Sequence, residues 1–195
     1  SFPNREARMP ENGNRVLIVP RSGHGIDAAE NPYVTYVCAR LAGNVAVLAN
    51  GSHADPTAEK ICMGMPVRDA ITLSLLALDF EKDEYSTPRI IAVAKLESRS
   101  GWLGSIRRDG IDVRSFALEP GRIVHVSTYV HEVPDALRVS SFTAGCAAEA
   151  CEFLFTGGVF TSFSHPVTAV AAVAAEDGFE VAVRNGCGKN TVRAS

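Results

Sequence analysis

IIAVAKLESRSGWLGSIRRDGIDVRSFA, residues 90–117, decides the fold. It reads as three strands in succession: Ile90 to Lys95, Trp102 to Arg107 and Ile111 to Ala117, with Asp109-Gly110 as a tight turn. Short runs rich in β-branched and aromatic residues, separated by Gly, Asp and Ser, are the pattern of an antiparallel meander. Just upstream, Pro66 starts a helix expected over Val67 to Phe80. Its Val67, Ala70, Ile71, Leu75 and Leu78 follow helical spacing, and Leu73 and Leu76 occupy the remaining face. A helix apolar on nearly every side is expected to lie buried between a sheet and other protein.

The strand pattern continues on both sides of this stretch. Arg15 to Pro20 is an apolar run after a polar loop. Val34 to Leu41 and Val45 to Ala49 flank the hairpin signal Ala42-Gly43-Asn44, and Arg122 to Val130 reads as a further strand. Thr168 to Ala175 and Phe179 to Arg184 form a last hairpin around Asp177-Gly178. Asp55 is expected to cap a first helix that has Pro56 at its first position. A third helix is expected from Ala147 to Phe155, stopping at Gly157-Gly158. Antiparallel hairpins with helices set between them make an α+β class. Two sheets packed face to face, with helices outside both, would bury this many apolar strands.

Composition bounds the function classes. The 195 residues imply one domain over 1–195. With 46% hydrophobic and 21% charged residues, the chain matches a soluble globular protein. A net charge of −3 provides no basic face for nucleic acid, although a few placed arginines suffice for one phosphate. No stretch has the length of a membrane span, and Ser1 to Arg5 contains no apolar signal core. The five cysteines (Cys38, Cys62, Cys146, Cys151 and Cys187) form no C-x-x-C pair, so reduced thiols in a cytoplasmic protein are expected. The histidines at 24, 53, 125, 131 and 165 show no metal spacing, and no metal is expected. Gly23-His24-Gly25 begins a glycine fingerprint without completing it.

Three segments are chemically denser than their surroundings. Ser1-Phe2-Pro3-Asn4-Arg5 puts an arginine in a polar, proline-restricted loop, suited to a bidentate phosphate contact or simply solvated. Asn50-Gly51-Ser52-His53-Ala54-Asp55-Pro56 joins a strand to a helix start. Its backbone N–H groups and the Ser52 hydroxyl suit an anion or a developing oxyanion; a plain turn with Asp55 as cap is the alternative. Asp79-Phe80-Glu81-Lys82-Asp83-Glu84 crowds four carboxylates at the C-terminal end of an apolar helix, where the helix dipole disfavours anions. A local rule broken without visible compensation points to function, with a solvated charged loop as the alternative. Strand alternation places Tyr36 opposite Tyr33, so one of the two faces the core or a cleft. Ser164-His165-Pro166 reads as a packed loop histidine or a binding group.

These segments, in this order, resemble the archaeal-type IMP cyclohydrolase family. The matching pieces are SFPNR (1–5), NPYVTY (31–36), NGSHADP (50–56), GMPVRDAITLSLLALDFEKDE (64–84) followed by TPRI (87–90), STY (127–129) and GGVFTSFSHPVTA (157–169). The resemblance implies a four-layer αββα sandwich of the N-terminal-nucleophile hydrolase type with antiparallel sheets. It also implies the last step of IMP synthesis, ring closure of 5-formamidoimidazole-4-carboxamide ribotide. Catalytic positions carry over onto Arg5, Tyr36, Asn50 and Glu81, and substrate binding onto Asn4, Arg5, Ser52, His53, Arg89 and His165. No cofactor is required. The partner is the purine ribotide, and a closed homo-oligomer is the expectation.

The family carries an N-terminal segment with a first β-hairpin ahead of the SFPNR motif, whereas this sequence opens at Ser1 inside it. A trimmed or incompletely represented chain is one explanation of that start, and processing that exposes Ser1 is the other; two alternatives stand beside ring closure. One is an amidohydrolase using Ser1 as an N-terminal nucleophile with its own amine as base. The other is a catalytically idle protein that binds purine nucleotides.

Overall fold

The computed structural model describes residues 4–11, 13–21, 35–96, 98–137, 139–162 and 165–186. Seven strands form one antiparallel sheet in chain order: β1 (Arg5–Arg8), β2 (Arg15–Pro20), β3 (Tyr36–Ala42), β4 (Val45–Ala49), β5 (Arg89–Lys95), β6 (Ser100–Arg107) and β7 (Gly110–Ala117). The decisive meander is β5-β6-β7, in which Trp102 sits opposite both Val93 and Ser115. Two helices, α1 (Ala54–Cys62) and α2 (Val67–Leu78), connect β4 to β5. Beyond the sheet, β8 (Arg122–Val124) pairs with β9 (Val139–Ser141). Then α3 (Ala147–Thr156) precedes the hairpin of β10 (Thr168–Ala175) and β11 (Gly178–Asn185). The fold is mixed α and β with antiparallel sheets, as the alternation implied. No helix among the described residues is long and apolar enough to cross a membrane.

Two-residue alternation decides which element covers which face. On one face, Val45, Val47, Ile91, Val93 and Ile106 meet Ala54, Ala58 and Ile61 of α1 and Val67, Ala70, Ile71 and Leu75 of α2. Gly104 lets α2 approach: a Cβ there would lie 2.7 Å from Ile71 Cγ2 and 3.0 Å from Ile91 Cγ2. On the opposite face, Ala7, Val16, Ile18, Ala39 and Leu48 meet Val170, Val181 and Val183 of the β10–β11 hairpin. The hairpin's other side, Ala169 and Ala171, is covered by Ala147, Ala150 and Cys151 of α3. Asn185 fastens the hairpin to strand β1. Its Nδ2 donates to Ala7 O (3.0 Å), and its Oδ1 accepts from Ala7 N (2.8 Å) and Thr168 Oγ1 (2.8 Å).

Several local expectations are corrected. Arg5 begins a strand rather than sitting in a loop, because Arg5–Arg8 pairs with β2 and places Arg5 opposite Pro20. The strand expected over Arg122 to Val130 ends at Val124; the chain then turns back, with Ser127 N donating to His131 O (2.9 Å). Helix α1 starts two residues early, at Ala54 with His53 at the N-cap, so Asp55 is not the cap. Instead Asp55 Oδ1 lies 3.3 Å from both Arg15 Nε and Arg40 Nε, joining the helix start to β2 and β3. Helix α2 is buried on one side only: Leu73, Leu76 and Leu78 are exposed. The sheet presents a single face to it, and no described element packs over its outer side.

Antiparallel order also gathers chain segments that are distant in sequence. The first residues of β1, β3 and β5 and the last of β2 and β4 lie at the same end of the sheet. Arg5, Tyr36, Asn50 and Arg89 therefore share that end.

Candidate active site

The acidic segment after α2 is built around a strained residue. Asp79 adopts φ 55° and ψ 178°, a region that residues with a side chain rarely occupy. Such strain costs of order 1–3 kcal/mol and concentrates where function over-determines the backbone. Four contacts hold it. Its N–H donates to Leu75 O (2.8 Å), and its carboxylate accepts from Phe80 N (2.9 Å) and Lys82 Nζ (2.5 Å). Its carbonyl accepts from Arg89 Nε (2.7 Å). The compensation absent from the local sequence is therefore Arg89, a β5 residue only 7% exposed whose cation sits at the C-terminal end of α2.

The same guanidinium reaches the next carboxylate, with Arg89 Nη1 3.3 Å from Glu81 Oε1. The loop is closed by Glu81 N donating to Thr87 O (2.9 Å). Asp83 accepts from Thr87 N (2.9 Å) and Thr87 Oγ1 (2.6 Å), and Tyr129 Oη lies 3.4 Å from that hydroxyl. Burial pushes the Glu81 carboxyl above its ordinary range, against Arg89; Asp83 adds to the rise and Arg5 opposes it. Tyr36 is also raised, chiefly by burial, so it stays a neutral donor. Arg5 lies within hydrogen-bonding reach of the Tyr36 hydroxyl, its Cζ 6.0 Å from the ring centre. The cluster thus contains a desolvated carboxylate, a protonated phenol and two guanidinium groups.

Asn50 sits beside this cluster as a brace. Its Nδ2 donates to Pro88 O (2.9 Å) and its Oδ1 accepts from Ile90 N (2.9 Å), tying the end of β4 to the start of β5. His53 is fully buried. Its Nε2 lies 2.9 Å from Ile90 O; a carbonyl only accepts, so Nε2 carries the proton. Burial lowers its pKa from 6.5 to about 4; the Ile90 bond opposes this and Arg89 adds to it. Across that window the unfolded chain holds a proton on His53 that the folded chain does not, so stability falls as pH drops from 6.5 toward 4. In urea titrations at pH 7, 6 and 5, His53→Gln is expected to show a flatter decline than the parent. Parallel declines would remove this assignment.

Other expected binding residues lie farther out. Asn4 and Ser52 are exposed, and Asn4 contributes its carbonyl, which accepts from Arg21 N (2.8 Å). His165 is exposed ahead of β10. Ser1, Tyr33 and Ser164 lie outside the described residues. Reading the sequence missed Arg21, whose Nε donates to Arg5 O (3.2 Å) and whose Nη2 donates to Gly186 O (2.5 Å), holding the Arg5 backbone. It also missed Thr87 as the clasp of the acidic loop. The signal for Arg21 was its position one residue past a strand that pairs with Arg5.

A separate apolar cavity of about 1200 Å³ lies between the sheet's second face (Leu48, Ala92, Leu103, Phe116) and Ile123 and Val139 of β8–β9. It contains none of Arg5, Tyr36, Glu81 and Arg89. Its lining is mainly apolar, whereas the polar cluster brings together charged donors and a proton acceptor, so the cluster is the candidate site.

The family model described as IMP cyclohydrolase-like protein matches residues 1–178. A protein named IMP cyclohydrolase from Methanosphaera stadtmanae is 42% identical over 185 residues, which cover 95% of this chain and 87% of that protein. One of the same name from Halobacterium salinarum is 40% identical over 189 residues, covering 95% and 88%. Another from Methanocella arvoryzae is 39% identical over 186 residues, covering 95% and 87%. With matches of this length running through the strands and loops that carry the cluster, the chain belongs to the IMP cyclohydrolase-like family.

Proposed function

We propose that this chain closes the purine ring, converting 5-formamidoimidazole-4-carboxamide ribotide to IMP with loss of water. The observation that carries this reading is the meeting of Arg5, Tyr36, Glu81 and Arg89 at one end of the sheet, in a chain of this family. In the reaction the carboxamide nitrogen attacks the formyl carbon of the same molecule. Both reactants share one scaffold, so the protein mainly holds the reactive rotamer and moves protons. Glu81 takes the amide proton; a carboxylate whose basicity is raised by burial suits that task. Tyr36, kept protonated, donates to the formyl oxygen as it leaves toward water. Arg5 binds the phosphate or the carboxamide. Asn50 has a second Nδ2 hydrogen beyond its bond to Pro88 O and orients the carboxamide through it. Asn4, Ser52, His53, Arg89 and His165 complete the proposed binding set.

The proposal extends to the architecture, an αββα sandwich of the N-terminal-nucleophile hydrolase type. What supports it is the packing sequence of α1 and α2, the large sheet, the β10–β11 hairpin and α3. We also propose a cytoplasmic homo-oligomer; free Cys38, Cys62, Cys146 and Cys151 agree with a reducing compartment.

The test is incubation of the purified chain with the formylated ribotide while IMP is followed by absorbance. Ring closure at enzymatic rate is expected. Binding without closure would mark an idle nucleotide-binding relative, and release of a hydrolysed amide would mark an amidohydrolase.

A further inference from the structure

We propose that Gly51 is a positioning residue for this reaction: the missing side chain at 51 leaves the room in which the Arg89 guanidinium holds Glu81. The proposal rests on the reading of Glu81 as the proton-transfer group given above.

Gly51 is buried at the turn between β4 and α1. A Cβ at this position would meet Arg89 Nη1 at a separation that real Cβ atoms do not reach. On its other side it would lie 3.3 Å from His53 Nδ1. The imidazole cannot withdraw, because Nε2 is bonded to Ile90 O and the ring is fully buried. The backbone at 51 is not in the left-handed region, so alanine is compatible with its conformation. The conflict is therefore purely one of space, and only the Arg89 head can yield. That head is anchored by Nε to Asp79 O at 2.7 Å and by Nη1 to Glu81 Oε1 at 3.3 Å. It has little free volume, so moving it breaks those two contacts. The part that moves is the tip of a side chain and not backbone, so the fold survives while the site geometry does not.

The electrostatic consequence is specific. Glu81 is faced by Arg89 from β5, Arg5 from β1, Tyr36 from β3 and Asp83 from its own loop. Arg89 is the stronger of the two cations that pull its carboxyl down. With Arg89 displaced, burial and Asp83 act against Arg5 alone, and Glu81 titrates at higher pH. A residue that merely shaped the turn would leave that titration in place.

The experiment is Gly51→Ala, assayed for ring closure across pH, with far-UV circular dichroism as the check on folding. Expected are a native spectrum, a fall in kcat of about 10²-fold, the scale for an ångström-sized misplacement, and an acidic limb moved to higher pH. In an Arg89→Lys background, where the guanidinium fork is gone, the added Gly51→Ala is expected to cost little, because the two sites are coupled. Parental kcat and pH profile in Gly51→Ala would overturn the proposal, as would loss of the native spectrum or an equal fold-loss in both backgrounds. If Glu81→Gln is itself fully active, the underlying reading fails. If Glu81→Gln is inactive while Gly51→Ala matches the parent, this inference alone fails.

Discussion

Glu81→Gln is expected to lower kcat for ring closure by about 10²–10⁴-fold, the usual contribution of a positioned general acid or base. The substitution keeps the size and the acceptor oxygen that faces Arg89 Nη1 at 3.3 Å, so the loop should remain in place. What it removes is the ability to take a proton. The pH profile supplies an independent reading. Burial raises the Glu81 carboxyl above its ordinary range, so the parent should gain activity as pH rises through that raised value and the base ionises. The acidic limb should vanish in Glu81→Gln. Retention of both the rate and the limb would remove Glu81 from the mechanism.

Ile71→Ala is expected to destabilise the fold by about 2–5 kcal/mol, the range for truncating a large aliphatic side chain in a core. Ile71 is fully buried, at the centre of the contact between α2 and the sheet. Its Cγ2 fills the space that Gly104 leaves open, and Leu75 and Ile91 border the same spot. With a chain of this length, each kcal/mol moves Tm by roughly 2–4 °C, so a drop of roughly 4–20 °C should appear in a thermal scan. Leu76→Ala, on the outer face of the same helix, is the matched control and should change stability by less than about 0.5 kcal/mol. Equal losses at both positions would mean that α2 is covered on its outer side as well. Such cover would come from outside the described residues, since no described element packs there.

The candidate site was partly legible because three of its components carry a local signal. Arg5 and Tyr36 stood out by residue type within short motifs, and Glu81 by belonging to an anionic run at the wrong end of a helix. Its compensation was not legible. Arg89 reads locally as the polar first residue of a strand, yet it caps α2 and pairs with Glu81 because the 79–88 loop folds back onto β5. Asn50 shows the same limit. Its motif pointed to a binding loop, while its amide is engaged by the backbone of Pro88 and Ile90 across the strand pair. Gly51 looked like an ordinary turn glycine, and its constraint comes from a side chain 38 positions later.

By itself the sequence determined most of the strand and helix order of this protein, though neither β1 nor β9. Periods of 2 and 3.6 residues record which side of each element is apolar, and that information is local. It placed the β5–β7 meander, α2, α3 and the last hairpin close to where they lie. Tertiary structure alone decided that Arg5 is the start of a paired strand, that β8 stops after three residues, and that the outer side of α2 stays exposed. It also decided that the strand ends carrying Arg5, Tyr36, Asn50 and Arg89 meet. The reason is that a backbone hydrogen-bond ladder or a buried ion pair is satisfied by whichever partner the folded chain brings near. That partner's distance along the sequence leaves no periodic trace.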